Sequence, residues 1–162
     1  MTKNLNLKVK SPEQTEKLGQ SISKLLKPGD VLLLDGDLGA GKTTFTKGLA
    51  LGLGIKRNIK SPTFTIIREY QDGRLPLYHM DVYRLETGGS DELGLDEYFD
   101  GDGVSVVEWS KFADSELPNE YLRLQFKRLD QLGENDREID LIAKGDHFEK
   151  IIETEGLAIN GK

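Results

Sequence analysis

Apolar and polar positions alternate at Leu5, Leu7 and Val9, the two-residue period of a strand with one buried face. The period then lengthens. Leu18, Ile22, Leu25 and Leu26 recur at helical spacing behind Ser11-Pro12-Glu13-Gln14. There Ser11 suits a cap, Pro12 the first helical position, and Gln14 the place of a capping-box partner. Lys27-Pro28-Gly29-Asp30 ends that helix. Val31-Leu32-Leu33-Leu34 is apolar without a break, the mark of a strand buried on both faces and hence parallel and central. A glycine-rich turn follows, and then an amphipathic helix from about Lys42 to Leu51.

Phe64 to Tyr70 and Leu75 to Met80 are strand-like runs joined by Gln71-Asp72-Gly73-Arg74, a hairpin turn by composition. Ser90 to Phe99 is acidic and helical in pattern, and Asp100-Gly101-Asp102-Gly103 closes it. Val104 to Val107 is another buried strand, and alternation at Leu122, Leu124 and Phe126, then at Ile139 and Leu141, predicts two more. A last helix covers about His147 to Glu155, with a polar tail from about residue 156. Strands and helices mix throughout, which predicts an α/β sheet of mixed parallel and antiparallel strands flanked by helices.

The 162 residues fit a single domain, 1–162. Leu, Ile, Val and Phe number 46, well above the roughly 20% below which charged chains stay disordered, so one core can form. A net charge of −6 removes the bulk attraction by which proteins grip phosphate backbones, which argues against direct, charge-driven binding of nucleic acid. The absence of cysteine excludes disulfides and thiolate chemistry and fits a reducing compartment. Neither a signal-like apolar segment nor a membrane-length one is visible, so a cytoplasmic protein without a membrane association is expected.

Gly36-Asp37-Leu38-Gly39-Ala40-Gly41-Lys42-Thr43 fits G-x-x-x-x-G-K-[ST], a P-loop pattern that arises in roughly one shuffled chain of this composition in fifty. Its setting, a buried strand running in and an amphipathic helix running out, sharpens the match. The glycines admit positive φ and let backbone N–H groups approach phosphate oxygens. The helix start adds its own unsatisfied N–H groups, Lys42 reaches the β- and γ-phosphates, and the Thr43 hydroxyl suits Mg²⁺. A P-loop NTPase-like sheet is therefore expected.

Such a loop needs an acid at a neighbouring strand end. Val104-Ser105-Val106-Val107-Glu108 assigns Glu108 to the metal, and Leu75 to Asp81 assigns Asp81 to water orientation or the outer metal shell. Either carboxylate can instead be a cap or a salt-bridge partner. Thr63, in Ser61-Pro62-Thr63-Phe64, lies where a γ-phosphate sensor sits in other P-loop proteins, or in a plain Pro-containing turn. Trp109 either stacks at the site or packs half-buried. His79 is a catalytic candidate, though a lone strand histidine is more often hydrogen-bonded structure. Asp91-Glu92-Leu93-Gly94 mimics a GTPase D-x-x-G, but no N-K-x-D follows. Asp100 to Gly103 lacks the later ligands of a calcium loop. The acidic run from Asp91 to Asp102 is a solvated face or a docking surface for a basic partner.

Gly36 to Phe45, Ser61-Pro62-Thr63-Phe64, His79-Met80-Asp81-Val82-Tyr83-Arg84 and Val107-Glu108-Trp109-Ser110 together closely resemble the TsaE (YjeE) family of bacterial ATPases. The resemblance runs from about Ser11 to Ala143. It implies a Mg²⁺-dependent ATPase in the formation of threonylcarbamoyladenosine in tRNA, working with the proteins TsaB and TsaD and touching tRNA only indirectly. By the same resemblance Lys42 and the Gly39 to Thr44 backbone hold phosphates of ATP or ADP, and Thr43 and Glu108 hold the metal. Trp109 stands beside the metal acid, Thr44 belongs to the phosphate loop, and looser similarity around Arg137-Glu138-Ile139-Asp140-Leu141 adds Arg137 to the nucleotide-binding set. No motif places an arginine finger; Arg84 or a residue of a partner could serve, so slow hydrolysis by the isolated chain is expected. The competing readings are a small-molecule P-loop kinase, disfavoured because only 7 of the 22 basic residues are Arg and these are scattered, and an adaptor that binds nucleotide without needing hydrolysis.

Overall fold

The computed structural model describes residues 2–36, 41–56, 67–81, 95–108, 117–129 and 136–160. The chain runs β1 (Thr2–Val9), α1 (Pro12–Ser23), β2 (Val31–Gly36), α2 (Lys42–Gly52), β3 (Ile67–Tyr70) and β4 (Leu77–Asp81). It continues through α3 (Leu95–Phe99), β5 (Val104–Glu108), β6 (Tyr121–Arg128), β7 (Arg137–Lys144) and α4 (Asp146–Asn160). The strands form one seven-stranded sheet in the order β1-β7-β6-β2-β5-β4-β3. β6, β2, β5 and β4 are mutually parallel, while β7, β1 and β3 each join antiparallel. The expected mixed sheet with flanking helices is thus what forms, and the apolar run of β2 lies at its centre.

Strand alternation divides the core in two. On one face Leu32, Leu34, Val106, Leu124 and Ile139 pack with Ile22 of α1, Phe45 and Leu49 of α2, and Phe148 and Ile151 of α4. Each such side chain, fully buried, contributes about 1.5–3 kcal/mol. On the other face a smaller cluster joins Val31, Leu33, Met80 and Val107 to Phe99 of α3. Beside it the same face of β1, β7 and β6 is polar, and Asn6 there donates to Glu138 and Asp140.

α1 begins as its sequence predicts, with Ser11 accepting from the Gln14 backbone N–H. The reciprocal bond differs: the Gln14 side chain accepts from Lys10 N rather than from the cap residue, at 2.7 Å. The helix also ends at Ser23, before Leu25 and Leu26. Turn bonds from Leu25 N to Ile22 O and from Leu26 N to Ser23 O carry these leucines inward, so their burial reflects a tightened turn and not a helical stripe. At the other end of the chain α4 continues to Asn160, so the expected tail from about residue 156 is helical over its first five residues.

α1 and α2 approach through glycine. A Cβ on Gly19 would meet the Phe45 carbonyl and Leu49 N, one on Gly48 the Glu16 carbonyl, and one on Gly52 the Ser23 hydroxyl. Ring contact between Phe45 and Phe126, edge to face at 5.8 Å, fastens α2 to β6. These contacts fix the helix that follows the glycine-rich turn.

Candidate functional site

β2 ends at Gly36, whose φ is +142° and whose missing Cβ leaves room for the carbonyl of Phe126 on β6. No side chain could stand there. Asp37, Leu38, Gly39 and Ala40 lie outside the described residues. The chain re-enters at Gly41, with φ +110°, as the N-cap of α2, and the glycine brings no side chain to cap the helix. The first N–H groups of a helix have no intrahelical acceptor, and they carry the positive end of the helix dipole. Thr15 of α1 is buried beside Gly41 and supports the turn from below.

Lys42 opens α2 but does not point to solvent; it is 8% exposed. Its Nζ donates to the Gly36 carbonyl at 3.1 Å and lies 3.9 Å from Glu108 Oε1. The ammonium thus closes the turn onto the strand that opened it. Thr43 and Thr44 follow in the first helical turn, both half-buried. Thr46 Oγ1 donates to the Lys42 carbonyl and anchors that turn.

Three strand ends bring the acids together. Leu34, Glu108 and Asp81 are register partners across β2, β5 and β4, so their side chains project side by side on the face covered by α2. Two carboxylates so placed repel each other unless a cation lies between them. One layer below, His79 pairs with Val106 and reaches diagonally to Glu108, its Nε2 2.6 Å from Oε2. His79 is fully buried, and its Nδ1 has no hydrogen-bond partner among the described residues. Glu108 is therefore held at Oε2 by His79, while its Oε1 faces Lys42 across 3.9 Å.

Among the described residues no group of three His, Cys, Asp or Glu side chains forms a metal cage. The donor chemistry is nevertheless right for Mg²⁺, which takes one or two carboxylates, completes its octahedron with water and phosphate, and prefers hard oxygen donors. Glu108, Asp81 and the Thr43 hydroxyl are such donors, gathered at the ends of β5 and β4 and the start of α2.

Of the residues singled out in the sequence, Gly36, Gly41, Lys42, Thr43, Asp81 and Glu108 occupy this edge of the sheet together. Arg137 begins β7 at the same edge, opposite Arg128, but β6 separates it from β2, a span of roughly 10 Å at ordinary strand spacing. Its guanidinium donates to the Asp136 carbonyl. Thr63, Arg84 and Trp109 lie outside the described residues. Sequence reasoning missed the bond from His79 to Glu108. The available signal was the two-residue spacing of His79 and Asp81, which puts both on one face of β4.

The family sequence model described as "Threonylcarbamoyl adenosine biosynthesis protein TsaE" matches residues 9–139. The tRNA threonylcarbamoyladenosine biosynthesis protein TsaE of Bacillus subtilis (strain 168) is 54% identical over 151 residues, covering 93% of each chain. Its namesake from Treponema pallidum (strain Nichols) is 45% identical over 131 residues, 80% of this chain and 94% of its own. A crystal structure of Bacillus subtilis YdiB superposes with a TM-score of 0.83 at 48% identity, covering 100% of this chain and 99% of the other.

Proposed function

Since the chain belongs to the TsaE family of tRNA threonylcarbamoyladenosine biosynthesis, we propose that it is the Mg²⁺-dependent ATPase of that machinery. The observation that carries the reading is the placement of Lys42, buried between the Gly36 carbonyl and Glu108 at the mouth of a helix whose N-cap is glycine. A buried lysine so poised has a role in gripping an anion brought to the turn, and the first N–H groups of α2 would take up the same charge.

In this proposal ATP lies along the Gly36 to Thr44 turn, with Lys42 on its β- and γ-phosphates. Glu108 and the Thr43 hydroxyl would hold Mg²⁺, which supplies neutralisation of charge on the leaving phosphates. Asp81 would accept a hydrogen bond from the attacking water, and Thr63 would report the γ-phosphate. Trp109 and Arg137 complete the nucleotide-binding set carried by the family resemblance. Hydrolysis is slow in the isolated chain and is raised by TsaB and TsaD, through which the protein serves tRNA without gripping it. Its workplace is the cytoplasm; consistent with this, no helix among the described residues is long and apolar enough to cross a membrane.

The test is phosphate release from ATP measured with and without the TsaB–TsaD pair. Low turnover alone and a marked rise in the complex are expected, and equal rates would remove the partners from the mechanism. Lys42→Ala should weaken binding of a fluorescent ATP analogue about 100-fold or more, the scale of losing a preorganised charge donor. A phosphorylated small molecule in place of free phosphate would identify a kinase.

A further inference from the structure

We propose that His79 is a positioning residue for Glu108, one that fixes the carboxylate plane so that its second oxygen can serve as a metal ligand. The inference rests on the ATPase reading above and adds to it a residue with a distinct task. His79 sits at 0% exposure in a layer otherwise made of Leu77, Val104 and Val106. Burying an imidazole there has a cost, since its Nδ1 has no partner among the described residues. An aliphatic side chain would fill the same layer without that cost. The return is the 2.6 Å bond from Nε2 to Glu108 Oε2, which fixes the carboxylate plane.

The fixed plane has a geometric consequence. Lys42 Nζ stands 3.9 Å from Oε1, too far for a direct hydrogen bond, although both groups are buried and oppositely charged. With Oε2 engaged by His79, Oε1 makes no direct hydrogen bond to Lys42 and would be the oxygen offered to a cation. Removing the imidazole lets the carboxylate rotate, so that a metal must first order its own ligand.

Two variants and one spectrum test this. His79→Leu keeps the volume and deletes the bond; His79→Gln places an amide N–H near the position of Nε2. Binding of fluorescent ADP is titrated in EDTA and then across Mg²⁺ concentrations, with thermal melting as a check on the fold. His79→Leu is expected to melt no lower than wild type, yet to need 10–100-fold more Mg²⁺ for the same gain in affinity, the usual effect of losing a group that orients a metal ligand. His79→Gln should recover most of that loss. The chain has only two histidines, so ¹⁵N imidazole spectra of wild type and of a His147→Gln variant assign His79 directly. They should show the proton on Nε2 and none on Nδ1. An unchanged Mg²⁺ dependence in His79→Leu, or a proton on Nδ1 with Nε2 bare, overturns the proposal while leaving the ATPase reading intact. A wild-type protein that binds no ADP or ATP would sink both.

Discussion

Glu155 is a carboxyl group buried where α4 meets α1, and Ser21 Oγ donates to its Oε1 at 2.7 Å. Burial raises its pKa above the ordinary 4.5, and the Ser21 bond only partly opposes the rise. The folded chain therefore binds this proton more tightly than the unfolded chain does. Stability from this group is complete below pH 4.5 and falls as pH climbs through the raised folded value. Glu155→Gln keeps an acceptor for Ser21 and removes the charge. It should stabilise the protein by up to about 1 kcal/mol at pH 7 and by nothing at pH 4, a difference that urea melts at the two pH values would reveal. Gly36 is the opposite case, a residue defined by what it lacks. Gly36→Ala must place a Cβ into the Phe126 carbonyl at a φ that L-residues avoid, so a loss of about 2–4 kcal/mol in chemical denaturation is expected.

At the scale of elements, the α1–α2 pair reverses the usual ranking of helix formers. Alanine ordinarily exceeds glycine inside a helix by about 1 kcal/mol. At Gly48 the added methyl meets the Glu16 backbone, so Gly48→Ala should destabilise despite its better propensity, and Gly48→Val by about 3 kcal/mol or more. A rise in melting temperature for Gly48→Ala would refute the close approach. This contact also marks the boundary of what the sequence discloses. The pattern of α2 reveals an apolar stripe at Phe45 and Leu49, but three glycines spread over two helices carry no period that a single chain exposes. The start of α1 was legible because Ser11, Pro12 and Gln14 act over one turn. Its end was not, because Leu25 and Leu26 continue the spacing of a helix while the backbone has already tightened at Ser23.

At the scale of the molecule, the two ends of the glycine-rich turn were legible because they are local: β2 runs in at Gly36 and α2 runs out at Lys42. Its acidic partners were legible only as strand ends. That Asp81 and Glu108 become neighbours depends on the parallel register of β4 and β5, which is a property of the sheet. The bond from His79 depends on the same register. A second long-range tie joins the end of the chain to its centre. His147 of α4 lies 2.7 Å from Asp30, whose carboxylate also accepts from Lys27 N just before β2. Asp30→Ala removes both bonds and should cost about 2–3 kcal/mol, read as a lower urea midpoint with an unchanged slope. An unaltered midpoint would show that α4 docks by its apolar face alone.

The meeting of α1 and α2 has a mechanical meaning as well. Most helix pairs touch through side chains that hop between rotamers and absorb displacement, as springs do. Here glycine leaves backbone against backbone, and Thr15 of the same α1 rests beside Gly41. The two helices make a stiff lever with Lys42 at its tip. A displacement of α1 would thus be passed to the start of α2, where Lys42 stands, rather than absorbed by side chains.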